Sequence, residues 1–439
     1  MRNWIYSHHL IKQLCYVVVH HSTVNQLRLD CSCWEHYKAK TASVQMITVS
    51  TRLQNVQYAI RDVVVLAEEL ARQGKTIIPL NIGDPPSFDF ATPPHLIAAV
   101  EKAMRDGHNG YGASSGLPCA VEAIRREAER KGIRNILDVF VTSGTSEGVD
   151  ICFGALLNEG DNVLCPVPEY PLYTVVLGKL DLKPNSYMLR EENGWEPDLE
   201  EMERNINSRT RGIVLINPNN PTGAIYSRET LEGIADIARR HRLIIFSDEI
   251  YDKLVLEGEH IAIAAVAPDV PVVTFGGLSK NYLAPGWRIG WGIVSGPAQI
   301  LGPYLEGVNK LLRSRLCASH PMMFAIQPAL DGPQDHLVGV NAKLRSRAKL
   351  TTEWANSTPL VSCVAPKGAF YAYPKFEIPE PDEVFVKRLL KETGVLVVHG
   401  SGFGQEPGTK HCRIVFLPDE KTLSGAYGVI SDFIKSHYA

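Results

Sequence analysis

The sequence predicts an α/β fold: a large domain with a mostly parallel sheet covered by helices, plus a smaller α/β domain. Three observations carry this reading. The chain has 439 residues, 45% of them hydrophobic, which is more than a single core organises, so two lobes are expected. Between about 93 and 309, short apolar, β-branched runs alternate with helical patterns, as strands buried on both faces do. Beyond about 310 the pattern changes to amphipathic helices, then to short strands at 369–373 and 395–398, and then to a final helix.

Residues 1–45 stand apart as an atypical N-terminal extension. Their apolar run Leu14-Cys15-Tyr16-Val17-Val18-Val19 is too short to span a membrane and marginal for a secretory core, and no arginine- and serine-rich transit pattern is evident. Cys31 and Cys33 lie near His20, His21 and His36, but a Cys-x-Cys without a second pair is weak evidence for a metal, and none is expected. Residues 46–92 are assigned to an N-terminal arm and part of the small domain, 93–309 to the large domain, and 310–439 to the small C-terminal domain. Within the large domain, strands are expected at 139–142, 162–165, 212–216, 243–245 and 272–275, with a helix through 149–157. Short connections favour right-handed crossovers.

Composition excludes several functions. A formal charge of −3 without a long basic run argues against nucleic acid, and no stretch has the length of a membrane span. The nine cysteines are odd in number and scattered, with Cys152 and Cys165 in apolar segments. Free thiols in a reducing cytoplasm are expected.

The chemistry concentrates after three strands. Gly277-Leu278-Ser279-Lys280 and Trp287-Arg288-Ile289-Gly290 set a lysine and an arginine eight residues apart. That pairing suits an aldehyde cofactor carrying a phosphate, because the amine can form a Schiff base and the guanidinium fork can hold phosphate oxygens. Alone, Lys280 reads as one more surface charge. Its company changes that reading, since Asp248 and Tyr251 follow one apolar run and Asn217-Pro218-Asn219-Asn220-Pro221-Thr222-Gly223 follows another.

With these motifs the chain, over roughly residues 50–435, resembles the fold-type I pyridoxal-phosphate aminotransferases of the aspartate aminotransferase superfamily. Tyr58-Ala59-Ile60-Arg61-Asp62, Asn81-Ile82-Gly83-Asp84-Pro85 and Gly400-Ser401-Gly402-Phe403-Gly404 resemble the alanine aminotransferases of archaea and bacteria more than the aspartate-specific enzymes. The resemblance implies pyridoxal 5'-phosphate as cofactor, amino acid and 2-oxo acid substrates, and a homodimer with active sites at its interface. It implies Lys280 as anchor and general acid/base, and Asp248 as the carboxylate facing the pyridine nitrogen. Asn220 and Tyr251 would bond the ring hydroxyl, although Asn220 also reads as a turn residue. Gly144, Thr145, Ser146 and Arg288 would hold the phosphate, where residues 143–147 alone read as a helix cap. Tyr111 would reach that phosphate from a second subunit, and Tyr170 would stack on the ring or serve as a core tyrosine. Arg413 would grip the substrate α-carboxylate bidentately, beside Asn220 and Gly83, with Arg61 for a second carboxylate.

Two departures from the family pattern are evident. Gly277 stands where many members carry a phosphate-binding serine, and Ser319-His320-Pro321 replaces a usual Pro-Ala-Gln, which is expected to alter the pocket wall. Transamination of L-alanine with 2-oxoglutarate is the expected reaction. Aspartate or aromatic transamination, or carbon–sulfur β-elimination on the same fold, are the alternatives.

Overall fold

The computed structural model describes residues 47–55 and 59–438, without the side chains of 54, 55 and 59–62. The expectations for residues 1–45, including Cys31 and Cys33, lie outside the described residues. Residues 51–439 group into one compact unit.

The strands in chain order begin with β1 (Ile78–Pro79), β2 (Ile136–Thr142), β3 (Asn162–Val167), β4 (Asn185–Arg190) and β5 (Glu196–Pro197). They continue with β6 (Thr210–Ile216), β7 (Ile244–Asp248), β8 (Val272–Gly277) and β9 (Gly290–Ser295). The last eight make one sheet in the order β2-β9-β8-β7-β6-β3-β4-β5. Its centre, β8 through β4, is parallel, whereas β9 runs antiparallel to both β8 and β2, and β5 runs antiparallel to β4. The expected strands are present, β4 and β5 are additional to them, and β9 was not anticipated either. Its glycines hid it: a Cβ on Gly292 would stand 2.3 Å from Phe140 Cζ, so this strand gives up β-forming residues to let an aromatic ring lie across it.

Alternation along each central strand sends side chains to opposite faces. Ile213 and Leu215 of β6, Ile245 of β7 and Val272 of β8 join a cluster that includes Ala120, Ala123 and Ile124 of helix Pro118–Arg130. Val214, Ile216, Ile244, Phe246, Val273 and Phe275 join another, with Val149, Cys152 and Phe153 of helix Thr145–Leu156. Both faces are dry, which is why these strands read as unbroken apolar runs. Cys152 and Cys165 are buried and free.

A third cluster packs helices Ala59–Arg72, Asp335–Ser357, Asp382–Thr393 and Glu420–Tyr438 onto short strands. These are β10 (Val361–Ser362), β11 (Tyr371–Ala372), β12 (Lys375–Phe376), β13 (Val395–Leu396), β14 (Val398–His399) and β15 (Cys412–Val415). The single strand expected at 395–398 is two: β13 pairs parallel with β1, and β14 pairs antiparallel with β15. The strand expected at 369–373 is reduced to Tyr371–Ala372, which pairs with Val415 and Ile414. Apolar runs of this length do not reveal a change of partner in mid-strand. Helix Ala298–Ser314 runs across residues 309 and 310.

Phe246 is fully buried, with its ring 5.1 Å from Phe153 and 6.4 Å from Phe275 between centroids. Phe246→Ala is expected to cost about 3–5 kcal/mol, read as a lowered denaturant midpoint. A midpoint equal to wild type would show that the cluster repacks around the void.

Candidate active site

Because β6, β7 and β8 are parallel neighbours, their C-terminal ends share one edge of the sheet, the place where open α/β sheets bind ligands. The register aligns Ile216 with Asp248 and Asp248 with Phe275. Asn220 follows β6, Asp248 ends β7 and Lys280 follows β8, so three distant segments meet. They line a cavity of about 470 Å³ together with Gly83, Thr145, Ser146, Tyr170, Tyr251, Arg288 and Arg413.

Lys280 Nζ donates to Gly83 O at 2.6 Å and lies 5.7 Å from the centre of the Phe370 ring. Burial brings its pKa down to about 8, with Arg413 and Arg288 adding to the fall and Asp84 and Asp248 opposing it. The neutral amine is therefore far more accessible near neutral pH than in an ordinary lysine. Asp248 accepts from Tyr173 Oη at 2.8 Å and from the Ile250 amide at 3.2 Å. Burial nevertheless raises its carboxyl to about 6, because the two donors and the Lys280 charge only partly offset desolvation. A cation brought against this carboxylate would restore its ionised form.

Arg288 takes a left-handed conformation, φ 55°, at the end of a short turn and lies against the start of helix Thr145–Leu156. A Cβ on Gly144 (φ +83°) would stand 2.3 Å from Arg288 Nη2. The first amides of that helix have no acceptor within it, so a guanidinium and a helix N-terminus face the same space, an arrangement suited to an anion such as phosphate.

Arg413 lies on β15, the central strand of the sheet β11-β15-β14, and is 3% exposed. Its Nη1 donates to Asn220 Oδ1 at 3.0 Å and its Nη2 to Asn81 O at 2.5 Å, while its buried Nε has no hydrogen-bond partner. Tyr371 and Phe403 lie 4.8 and 4.6 Å from its guanidinium carbon. Tyr251 Oη lies 3.0 Å from Tyr371 Oη.

The chain belongs to the aminotransferase class I and II family. The model of that family, described as aminotransferase class I and II, matches residues 75–428. A glutamate-pyruvate aminotransferase of Escherichia coli (strain K12) is 39% identical over 403 residues, covering 89% of this chain and 99% of that protein. An alanine aminotransferase of Mycobacterium bovis is 38% identical over 400 residues, covering 88% and 92%. The solved structure of an alanine aminotransferase from Pyrococcus furiosus is 42% identical with a TM-score of 0.86, covering 89% of this chain and all of that one. The family also has the fold described above, with its large, mostly parallel sheet and attendant helices.

Most of the residues read from the sequence of this aminotransferase converge on the cavity. Tyr111 does not: it is 82% exposed and lines a different depression with His320 and Pro321. The Ser319-His320-Pro321 departure therefore lies outside the Lys280 cavity of the single chain, where His320 Nδ1 is 2.8 Å from Gly110 O. The side chain of Arg61 is outside the described residues. Gly277 has a structural reason: a Cβ there would stand 2.8 Å from Ile289 O and 3.1 Å from Ile250 Cδ1, so the backbone leaves no room for serine. Sequence reasoning missed Tyr173, Asn81 and Tyr371. Tyr173 sits in the first turn of helix Leu172–Lys179 in an apolar stretch, and the contribution of Asn81 is a carbonyl, so neither announces itself.

Gly144→Ala is expected to push Arg288 aside and strain the positive φ, lowering affinity for inorganic phosphate about tenfold in a calorimetric titration. Unchanged affinity would show that the anion binds elsewhere.

Proposed function

We propose that this aminotransferase is pyridoxal-phosphate dependent and exchanges amino groups between L-alanine and 2-oxoglutarate, giving pyruvate and L-glutamate in two half-reactions. The observation that carries the reading is the convergence of a buried lysine with a lowered pKa, a buried carboxylate and two arginines on one cavity. The residues fit this cofactor. The contact between Arg288 and the glycine-capped helix suits its phosphate, and Asp248 suits its ring nitrogen. When bound, the cofactor supplies an electron sink that makes the amino acid Cα–H acidic.

The chain supplies the rest. Lys280 holds the cofactor and then moves the proton released at Cα, which its lowered pKa allows. Asp248 is anionic once a cationic nitrogen faces it. Tyr251 and Asn220 are assigned to the ring hydroxyl, and Asn220 also orients Arg413 through the bond at 3.0 Å. Arg413 grips the α-carboxylate, which would engage its unpaired Nε region and leave less buried polarity unsatisfied. Tyr170, lining the cavity, is assigned to the ring face, and Gly83 to the substrate side.

The names of the three relatives support alanine and glutamate as donors. The exposure of Tyr111 supports a homodimer in which a second copy completes the phosphate site. The free cysteines among the described residues support a cytoplasmic location, and the third hydrophobic cluster, which also takes in Ile250, Tyr251, Leu254 and Leu283, supports a smaller domain packed onto the sheet domain. No helix among the described residues is long and apolar enough to cross a membrane.

The test is the absorbance of the purified holoenzyme. L-alanine is expected to convert the cofactor band and 2-oxoglutarate to restore it. A band that alanine leaves unchanged while an acidic or aromatic donor moves it would overturn the donor, and ammonia released from a cysteine conjugate would favour elimination.

We also assign Arg61 to the distal carboxylate of 2-oxoglutarate. It stands in helix Ala59–Arg72, one turn before Val64, which lines the cavity. Arg61→Ala is expected to raise KM for 2-oxoglutarate about tenfold or more while sparing KM for alanine. Equal affinity for 2-oxoglutarate would remove the assignment.

A further inference from the structure

Three residues of the site are each followed in sequence by a polar neighbour that faces away from the cavity. Asp248, Tyr251 and Lys280 line the large cavity, whereas Glu249, Asp252 and Asn281 line a separate one of about 20 Å³. There Lys131, at the end of helix Pro118–Arg130, is paired with one carboxylate oxygen of Asp252. The other oxygen accepts from Asn281 Nδ2 at 2.5 Å. Asp252 and Asn281 are both buried. The main-chain carbonyl of Asn281 is held as well, 2.9 Å from His336 Nε2 on helix Asp335–Ser357.

The carboxylate of Asp252 therefore ties the residue after Tyr251 to the residue after Lys280, and ties both to a helix on the sheet's face. Charge in this cluster balances. Lys131 is matched by ionised Asp252. Burial pushes the Glu249 carboxyl up to about 8 and the His260 imidazole down to about 4, which favours the uncharged form of each. Asn281 Oδ1, Glu249 Oε2 and His260 Nε2 have no hydrogen-bond partner, so what fixes backbone geometry is the bonded part, Lys131 to Asp252 to Asn281 Nδ2.

We propose that Lys131, Asp252 and Asn281 form a positioning unit for amino-group transfer, fixing the backbone immediately after Tyr251 and Lys280 and so setting where the Lys280 amine meets the substrate Cα–H. This rests on the reading of Lys280 as proton carrier. The three residues touch neither substrate nor cofactor. They act through their neighbours, and small displacements of a proton carrier are costly to the chemical step.

The test compares wild-type holoenzyme with Asn281→Ala and Lys131→Met. Asn281→Ala is expected to lower kcat about tenfold, to leave KM for the amino donor within about twofold, and to enlarge the primary isotope effect with α-deuterated L-alanine. Amide hydrogen exchange of residues 279–283 in the same holoenzyme is expected to accelerate. Lys131→Met should show the same signature, and the double variant should be no slower than the worse single one, because the residues act as one unit. If Lys131→Met does not fold, Asn281→Ala decides alone. Folded Asn281→Ala with wild-type kcat and isotope effect, or with faster exchange but unchanged kcat, overturns the proposal. A wild type that transaminates no donor shows in its own control, and the proposal then falls with the functional reading.

Discussion

The structure depends on the parallel, in-register pairing of β6, β7 and β8. Backbone hydrogen bonds across these strands place Ile216, Asp248 and Phe275 side by side, and apolar side chains on both faces lock the register. A one-residue slip would exchange the two faces and carry Asp248 away from the cavity. The site is therefore a consequence of the core, since the packing that stabilises the sheet also gathers residues from three segments distant in sequence at one edge.

Around that edge, desolvation governs the chemistry. The same loss of water lowers the Lys280 amine and raises the Asp248 carboxyl, moving the two toward each other without neutralising either through a direct ion pair. Arg413 is held in a buried place with donors on Asn220 and Asn81 and its face against Tyr371 and Phe403. Each group is thus held in a state that a partner of opposite charge would improve, which is how a buried polar site favours its ligand over water.

The sheet and the residues that follow its strands were legible because fully buried strands write themselves as apolar runs, and the motifs after them contain side chains with few structural uses. Lys280, Asp248, Arg288 and Arg413 are of this kind. β9 was not legible, because two glycines that admit neighbouring groups weaken its pattern. The division at 395–398 was hidden for a different reason: a change of strand partner leaves no mark on local hydrophobicity. Tyr173 reads as one more core aromatic, and the hydroxyl that reaches Asp248 at 2.8 Å is visible only in three dimensions. Contacts made through main-chain carbonyls, at Gly83 and Asn81, are invisible to any reading of side-chain type.

The glycines around the phosphate end leave little vacant space. Cβ positions at Gly144, Gly276, Gly277 and Gly290 are already taken by Arg288, Trp291, the Ile289 carbonyl and the Thr145 amide. That half of the cavity resembles a socket whose wall has no thickness to spare. The opposite half is built from short pieces of chain before residue 92 and after 310, carrying Val64, Asn81, Ile82, Tyr371 and Arg413. In that half Asn81, Tyr371 and Arg413 are buried while Ile82 is exposed, so mutational drift meets fixed walls on both sides of the cavity, and new selectivity has room to evolve at the few positions, such as Ile82, that nothing else crowds.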